Sequence, residues 1–469
     1  MPGAIASAQE DRELYAPSVW DLTIGAHALE LPTDQFTEFA CGTDGGPPSQ
    51  RVRDWRDYQT CPAEPATGLH EIYFEYDNEL ELWARANNLL TQAALYQYTS
   101  IASVPVIASA LFDDNGFMVG LRLVTDPRVT TEQRAMAITL GGFLEARFDA
   151  AEWTCIDLPR LEGEEPFQGR YEKQRCEADW NDGIALMLET HNYRRPGQLL
   201  FDPVRNQPTE GAFWSETRLE MLLEVGIADG EARLAEIMAT LDDGPTEREL
   251  LVAQALDCPG CDLRGADLKR ANLERANLAG ADLTGANLHE ANLRFADLSG
   301  AILDDANING ADLLAANLDG ASIREAMMFS ANFDGATLIA ADLTQAKAAG
   351  VTMARADLTS AALLAVDLRD SRLNDAVFVG ADLRFSWFHN AQMIRADFTD
   401  ARLSDTQMNS VNLTRATMAG VDLYNAVLVG ADLRFADLTN ADLSYSSLTY
   451  AIMADTITTG AIWTGAELP

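Results

Sequence analysis

Positive charge is scarce in this chain of 469 residues: 34 Lys and Arg stand against 72 Asp and Glu, giving a formal charge of −38 and a pI near 4.3. Contacts to nucleic acid or anionic lipid need clustered cations that displace counterions, so direct binding of either is excluded. Histidine is scarcer still. His27, His70, His191, His289 and His389 occur singly, and no H-E-x-x-H, G-x-S-x-G or phosphate-cradling loop is present. Long apolar runs are also missing: no stretch of about 18 residues could cross a membrane as a helix. The glycine-rich stretch Cys41-Gly42-Thr43-Asp44-Gly45-Gly46-Pro47-Pro48 lacks a Lys and a following helix, and reads as a turn tied by a disulfide. Glu75, Asp77, Glu79 and Glu81 read as a solvated strand end and helix start rather than catalytic carboxylates. No catalytic residue, metal or cofactor is therefore assigned, although an N-terminal enzyme without a short motif stays open.

Six cysteines fall in three local pairs: Cys41 and Cys61, Cys155 and Cys176, Cys258 and Cys261. Spacing alone does not choose among the pairings they allow, but an even count in local pairs fits an oxidising compartment such as a periplasm. The alternative is six reduced thiols in the cytosol. At the N-terminus, Ala6-Ser7-Ala8 before Gln9 has the A-x-A form of an export-signal cleavage site whose apolar core is missing. This predicts a signal remnant with the true start upstream of Met1, or else a short disordered tail over 1–12.

A hydrophobic fraction of 47% with 23% charged residues reads as globular, and the length calls for more than one unit. The organisation changes near residue 258. From Cys261 every fifth residue is small and the residue two later is large and apolar, as in Ala266-Asp267-Leu268-Lys269-Arg270 and Ala271-Asn272-Leu273-Glu274-Arg275. About 41 such pentads continue in frame to Gly465. A period of five fits neither helix nor strand, so the chain must turn at a fixed interval. Four pentads per square coil satisfy this, with the large residue and the small one two before it pointing inward. About ten coils stacked at about 4.8 Å give a rod of roughly 50 Å.

The pattern A-(D/N)-L-x-x, unbroken over 258–469, resembles the pentapeptide-repeat proteins. That resemblance implies a right-handed quadrilateral β-helix with a non-catalytic binding role. It also implies an alternative, a cytosolic acidic rod that mimics DNA and binds a DNA-handling enzyme such as gyrase. Charge weighs against mimicry: residues 1–260 carry 45 acids and 19 bases (net −26), whereas 261–469 carry 27 and 15 (net −12). Arg264, Arg270, Arg275, Arg384 and Arg434 interrupt the field, and most acids occupy the second pentad position, where a carboxylate can bond turn backbone. Leu256-Asp257-Cys258-Pro259-Gly260-Cys261 resembles the start of such arrays. In frame both cysteines face the first coil's interior, as a structural disulfide or two buried thiols rather than a redox or zinc site.

Departures from the pattern carry further expectations. Ala348 and Thr458 replace the large central residue and should thin the core, with a bulge or weakened coil at Ala348. Phe333, Phe378, Phe388, Phe398 and Trp463 should stiffen the column. By frame, Met327, Phe329, Trp387, Val427 and Tyr450 share one outer face, a candidate partner face, or else ordinary scattered apolars. Ile452, Ile457 and Ile462 replace Asp or Asn in three successive pentads and, with Trp463, mark a candidate homodimer edge. His289 and His389 share a face about five coils apart, too far to share a metal.

Residues 13–225 lack the repeat and read as an α+β domain. Asp77 is placed to cap a helix carrying Leu80, Trp83, Leu89, Leu90 and Ala94. Val104 to Val124 reads as a hairpin about Asp114-Asn115-Gly116. Thr130 with Gln133 forms a capping box, and 184–190 and 198–201 read as strands. Two helices, 229–242 and 246–256, the second opened by Thr246 with Glu249, form a linker and cap over 226–257. Three functions follow: an exported scaffold or protein-binding rod with a neutral or basic protein partner, the cytosolic mimic, and an N-terminal hydrolase with the rod as targeting arm.

Overall fold

The computed structural model describes residues 16–469 apart from 195–199, 203–206, 210–212, 225–226, 228–229 and 241–246. The expected N-terminal tail, Gln198 and Thr246 lie outside the described residues. The chain forms two compact units that do not follow chain order. One comprises Tyr15–Asn78 and Ala94–Asp242, and the other joins Glu79–Ala93 to Asp243–Pro469. The expected boundary near residue 225 therefore omitted a segment from early in the chain that belongs with the repeat.

The first unit is mainly β-sheet with few helices, a correction to the expected α+β balance. Its strands are β1 (Phe36–Cys41), β2 (His70–Tyr76), β3 (Ser100–Ile101), β4 (Val104–Phe112), β5 (Met118–Thr125), β6 (Thr154–Asp157), β7 (Glu165–Pro166), β8 (Glu172–Trp180), β9 (Ile184–Arg194), β10 (Leu200–Asp202), β11 (Gln207–Thr209) and β12 (Phe213–Leu223). Ten form one sheet in the order β1-β2-β4-β5-β12-β9-β8-β6, with β3 on β4 and β7 on β9, while β10 and β11 pair separately. Every pairing is antiparallel. The Asp-Asn-Gly hairpin is present as β4 and β5, with Gly116 at φ 85. Alternation is absent there: all residues of both strands are buried, because both faces of the sheet are covered at this point.

On one face, Phe36, Trp55, Phe74, Leu121, Leu123, Leu140, Leu144, Leu188 and Leu219 belong to a single core. Phe36, Trp55 and Phe74 meet edge to face at 5.1–5.8 Å, the arrangement that ring quadrupoles favour. The helix α4 (Ala137–Arg147) lies close to this sheet at Gly141, where a Cβ would come within 2.8 Å of Thr190 Cγ2. It follows α3 (Thr131–Ala135), which the Thr130–Gln133 capping box opens as expected. On the opposite face, Arg122 is only 3% exposed and pairs with Glu64, Glu71 and Glu220 at 2.5–2.9 Å. The glycine-rich loop folds over Glu71, whose carboxylate accepts from the Asp44 and Gly45 amides, and a Cβ on Gly42 would collide with it at 2.2 Å.

The second unit is the repeat. Residues 20 apart pair in parallel, as Asp262 with Asp282 and Asp267 with Asn287, so four pentads make one coil. Each central N–H donates to the next coil, Leu268 N to Asn287 O at 2.8 Å, and the return bond runs from Asn287 N to Ala266 O at 2.9 Å. A turn bond such as Ala271 N to Leu268 O closes most corners. The last residue of the pentad adopts a left-handed φ, 64 at Gly265 but also 54 at Arg270 and 61 at Tyr445. Side chains accept this conformation because bonds to both neighbouring coils over-determine it. Central residues from Leu268 to Leu448 are buried in one apolar column. Where the small position carries a hydroxyl, it bonds backbone, as Ser371 Oγ to Leu368 O and Thr406 Oγ1 to Leu403 O, both 2.6 Å.

Ala348 is fully buried and produces no bulge: Ala348 N donates to Asp367 O at 2.9 Å and the ladder runs through it. Its column neighbours Met328 and Leu368 are also fully buried, so the wall stays closed around the smaller side chain. Phe378 and Phe398 stack at 4.8 Å and 2°. At the other end, α6 (Glu247–Ala255) covers the first coil with Leu251, Val252 and Ala255 against the core, and Asn277 N donates to Leu256 O. This satisfies the edge that the first coil would otherwise expose. The other expected helix is α5 (Gly230–Thr240), which belongs to the sheet unit rather than to a linker.

Candidate interaction face

Because the register is 20, outer residues stack in columns: 267, 287, 307, 327, 347 and onward to 447 form one, flanked by the columns 269–449 and 270–450. These columns hold Met327, Phe329, Trp387, Val427 and Tyr450, so the five residues do share a face. Its two halves differ. Along the first half lies α1 (Glu79–Ala86), from the segment that belongs to the rod unit.

Glu79 anchors one end of this helix. Its carboxylate pairs with Lys269 Nζ at 2.7 Å and accepts from Asn307 Nδ2 at 3.2 Å. Asn307 in turn donates to Asn287 Oδ1, and Asn287 to Asp267 Oδ1, at 3.1 and 3.2 Å. Asn87 holds the other end: its Oδ1 accepts from Lys347 Nζ at 2.7 Å and its Nδ2 lies 3.7 Å from Met327 Sδ. Between them Leu82 Cδ1 approaches Gly310, where a Cβ would lie 3.3 Å away. From Glu79 to Asn87 the helix rises about 12 Å, close to the roughly 10 Å that separates Asn307 from Lys347, two coils on. The helix thus runs along the rod.

Along this half, side chains at outward positions are buried: Asn287 1%, His289 0%, Asn307 7%, Asn309 0% and Met327 2% exposed. Met327 is accordingly not an available partner residue, and Phe329 is half-buried. The frame placed Met327 correctly, but it carried no information about a helix from more than two hundred residues earlier. Burial, with Lys269 and Arg270 nearby, pushes the His289 imidazole down to about 3. The expected helix also breaks: α1 ends and α2 (Leu90–Tyr96) restarts after Asn88, which takes φ 57, a common helix-ending conformation for Asn.

The second half of the face is open. Trp387 is 40% and Tyr450 81% exposed, with Val427, Val429 and His389 half-buried between them. A neighbouring face carries exposed aromatics that the sequence reading passed over, because they occupy the variable end of the pentad: Phe385, Tyr424 and Tyr445, the last two edge to face at 5.4 Å. Ile452, Ile457 and Ile462 are each about half exposed on three successive walls, while Trp463 turns inward against the column.

The acids of the repeat are largely engaged locally. Asp297 Oδ1 accepts from Ser299 N at 3.1 Å, and Arg264, Arg369, Arg384 and Arg434 fork onto the Asp two residues before them. The Arg264 guanidinium holds the Asp262 carboxyl down to about 2. The cysteines are joined as Cys41–Cys61, Cys155–Cys176 and Cys258–Cys261. His289 and His389 stand five coils apart, as the frame required. In the sheet unit a cleft of about 500 Å³ is lined by Tyr73, Glu75, Tyr98, Arg128 and Gln133. Its charged groups are already engaged, Arg128 with Asp126 at 2.7 Å and the Tyr73 hydroxyl with Glu75. Among the described residues no helix is long and apolar enough to cross a membrane.

Residues 261–455 belong to the pentapeptide-repeat family, matched in eight copies over 261–300, 306–345, 336–375, 376–415, 407–444 and 416–455, and no family model matches the region before them. The repeat is similar to HetL, a pentapeptide repeat protein involved in heterocyst differentiation regulation in the cyanobacterium Nostoc sp., with 29% identity over 45% of this chain and 87% of that one and a TM-score of 0.20. It is also similar to QnrB1, a plasmid-mediated fluoroquinolone resistance protein (19% identity, 34% and 89% covered, TM-score 0.28). A third similar structure is a pentapeptide repeat protein from the Arabidopsis thaliana thylakoid lumen (28% identity, 20% and 64% covered, TM-score 0.13). No curated protein matches the chain.

Proposed function

We propose that this is an exported, non-catalytic protein whose repeat, a right-handed quadrilateral coil, presents a binding surface to another protein. The observation that carries this reading is the face itself. Its first half holds a helix through Lys269, Asn307, Met327 and Lys347, and its second half leaves Trp387 and Tyr450 exposed. Exposed aromatics aligned on a rigid wall are the kind of anchor that dominates protein interfaces. Export is supported by three disulfides and no free cysteine. Affinity capture from native extract should recover a partner with the full chain and lose it when the chain is cut after residue 257. Equal recovery by both would remove the rod from the function. Thiol counting on denatured, unreduced protein should find no free thiol, and six would place the chain in a reducing compartment.

The DNA-mimic reading has less support, since Arg–Asp forks within single pentads neutralise the carboxylates that a mimic would present. At the last coil, Ile452, Ile457 and Ile462 form an apolar collar suited to self-association of two copies.

A further inference from the structure

The coil repeats every 20 residues, so what one half of a face can seat, the other half can seat if its side chains are of the same kind. The occupied half offers the helix a small residue in the outer flanking column at Gly310 and an apolar group at Met327, with Phe329 beside it in the 269–449 column and polar anchors at either end. Five coils on, the positions equivalent to Gly310, Met327 and Phe329 are Ser410, Val427 and Val429, followed by Gly430. The open half therefore has the same arrangement: a small flank beside an apolar strip.

Two further features adjoin it. The chain leaving α1 places Leu89 and Leu90 in the open, 38% and 62% exposed, immediately after Asn87, which is fixed to Lys347. Two coils beyond Lys347, about 10 Å along the axis, stands Trp387. Apolar groups are thus exposed both at the end of the seated helix and at the start of the open half, continuous with an interface that the chain itself fills.

We infer that the open half of this face, from Trp387 to Tyr450, binds an amphipathic helix of a partner protein, laid along the rod in line with α1. This deepens the interaction reading and rests on it. The span from Trp387 to Tyr450 is about three coils, roughly 15 Å, which a helix of about ten residues matches. Its apolar stripe covers Trp387, Val427 and Val429. Its flanks are neutral or basic, since Asp370 and Glu467 border the strip, while Asp367 is already neutralised by the Arg369 fork. The occupant is helical rather than extended because coil backbone is already paired between coils along this wall, leaving side chains and no free strand edge for recognition.

The test places a photoreactive benzoylphenylalanine at position 387 of the full chain, and at 377 and 397 on another wall, then irradiates each in native extract. The cross-linked peptide from position 387 is identified by mass spectrometry, synthesised, labelled and titrated against the full chain. The inference expects a partner sequence with apolar residues at helical spacing, cross-linked at 387 and not at 377 or 397. The peptide should gain helicity on binding, and Trp387→Ala and Val427→Lys should each weaken it by about tenfold or more with unchanged melting temperature. It is overturned by an extended peptide, by a cross-link to a second copy of this chain, or by affinity unchanged in both variants. Adducts at 377 or 397 alone would sink it while leaving the interaction reading intact. No adduct at any wall would sink both.

Discussion

Glu79 and Lys269 are 190 residues apart in sequence and meet as an ion pair of 2.7 Å, with side chains only 11% and 12% exposed. The pair fixes the start of α1 on the rod, and its loss leaves a carboxylate in a poorly hydrated position. Lys269→Ala should weaken the seat by about 1–3 kcal/mol, less than a fully buried pair would lose, because some solvent reaches both groups. Limited proteolysis would then cut faster between residues 86 and 93. Cleavage at the wild-type rate would mean that the pair does not hold the helix.

The interior of the rod makes a separate demand. Phe378 and Phe398 stack at 4.8 Å in adjacent coils, both fully buried. Phe378→Ala should destabilise the protein by about 3–5 kcal/mol through lost apolar burial and a cavity that neighbouring coils cannot close. Urea unfolding of the rod's β signal reads this directly.

Acid should act on the rod through His289. Its imidazole, enclosed with Asn309 and near Lys269, Arg270 and Glu290, is held at about 3, below the ordinary histidine value. The unfolded chain therefore binds a proton that the folded chain refuses. This contribution to stability is complete above about pH 6.5 and is lost as pH falls from there toward 3. The stability of the wild type relative to His289→Gln should decline over that range. A difference independent of pH would contradict the burial of the ring.

At the other end of the rod, Ile457→Asp combined with Ile462→Asp should convert a micromolar dimer to monomer in sedimentation velocity, leaving the melting temperature nearly unchanged. Both side chains are half exposed, so their replacement removes apolar contact between copies rather than core.

What was legible in the sequence follows from how local the cause is. The Leu column and the 20-residue register are written in every pentad, and the hairpin of β4 and β5 is signalled by Asp114-Asn115-Gly116. Glycine at the pentad end also signals a left-handed corner, yet Arg270, Phe295 and Tyr445 take the same φ because the coils above and below impose it. The seat of α1 had no such signature. Glu79, Leu82 and Asn87 read as ordinary helix residues, and only the folded chain brings them to Lys269, Gly310 and Lys347. Met327 was misjudged as open for the same reason. The break at Asn88 also escaped the apolar spacing through Leu89 and Leu90, which runs on without marking the left-handed φ that Asn88 takes.

The seat on the rod is tested most directly by hydrogen exchange of the amides of 79–86 in the full chain. A helix of eight residues is marginal in water by itself, so slow exchange there requires the rod beneath it. Those amides should exchange far more slowly than an unfolded chain, and Leu82→Asp should remove that protection while 261–448 stays protected. Exchange of 79–86 at the unfolded rate in the wild-type protein would contradict the account.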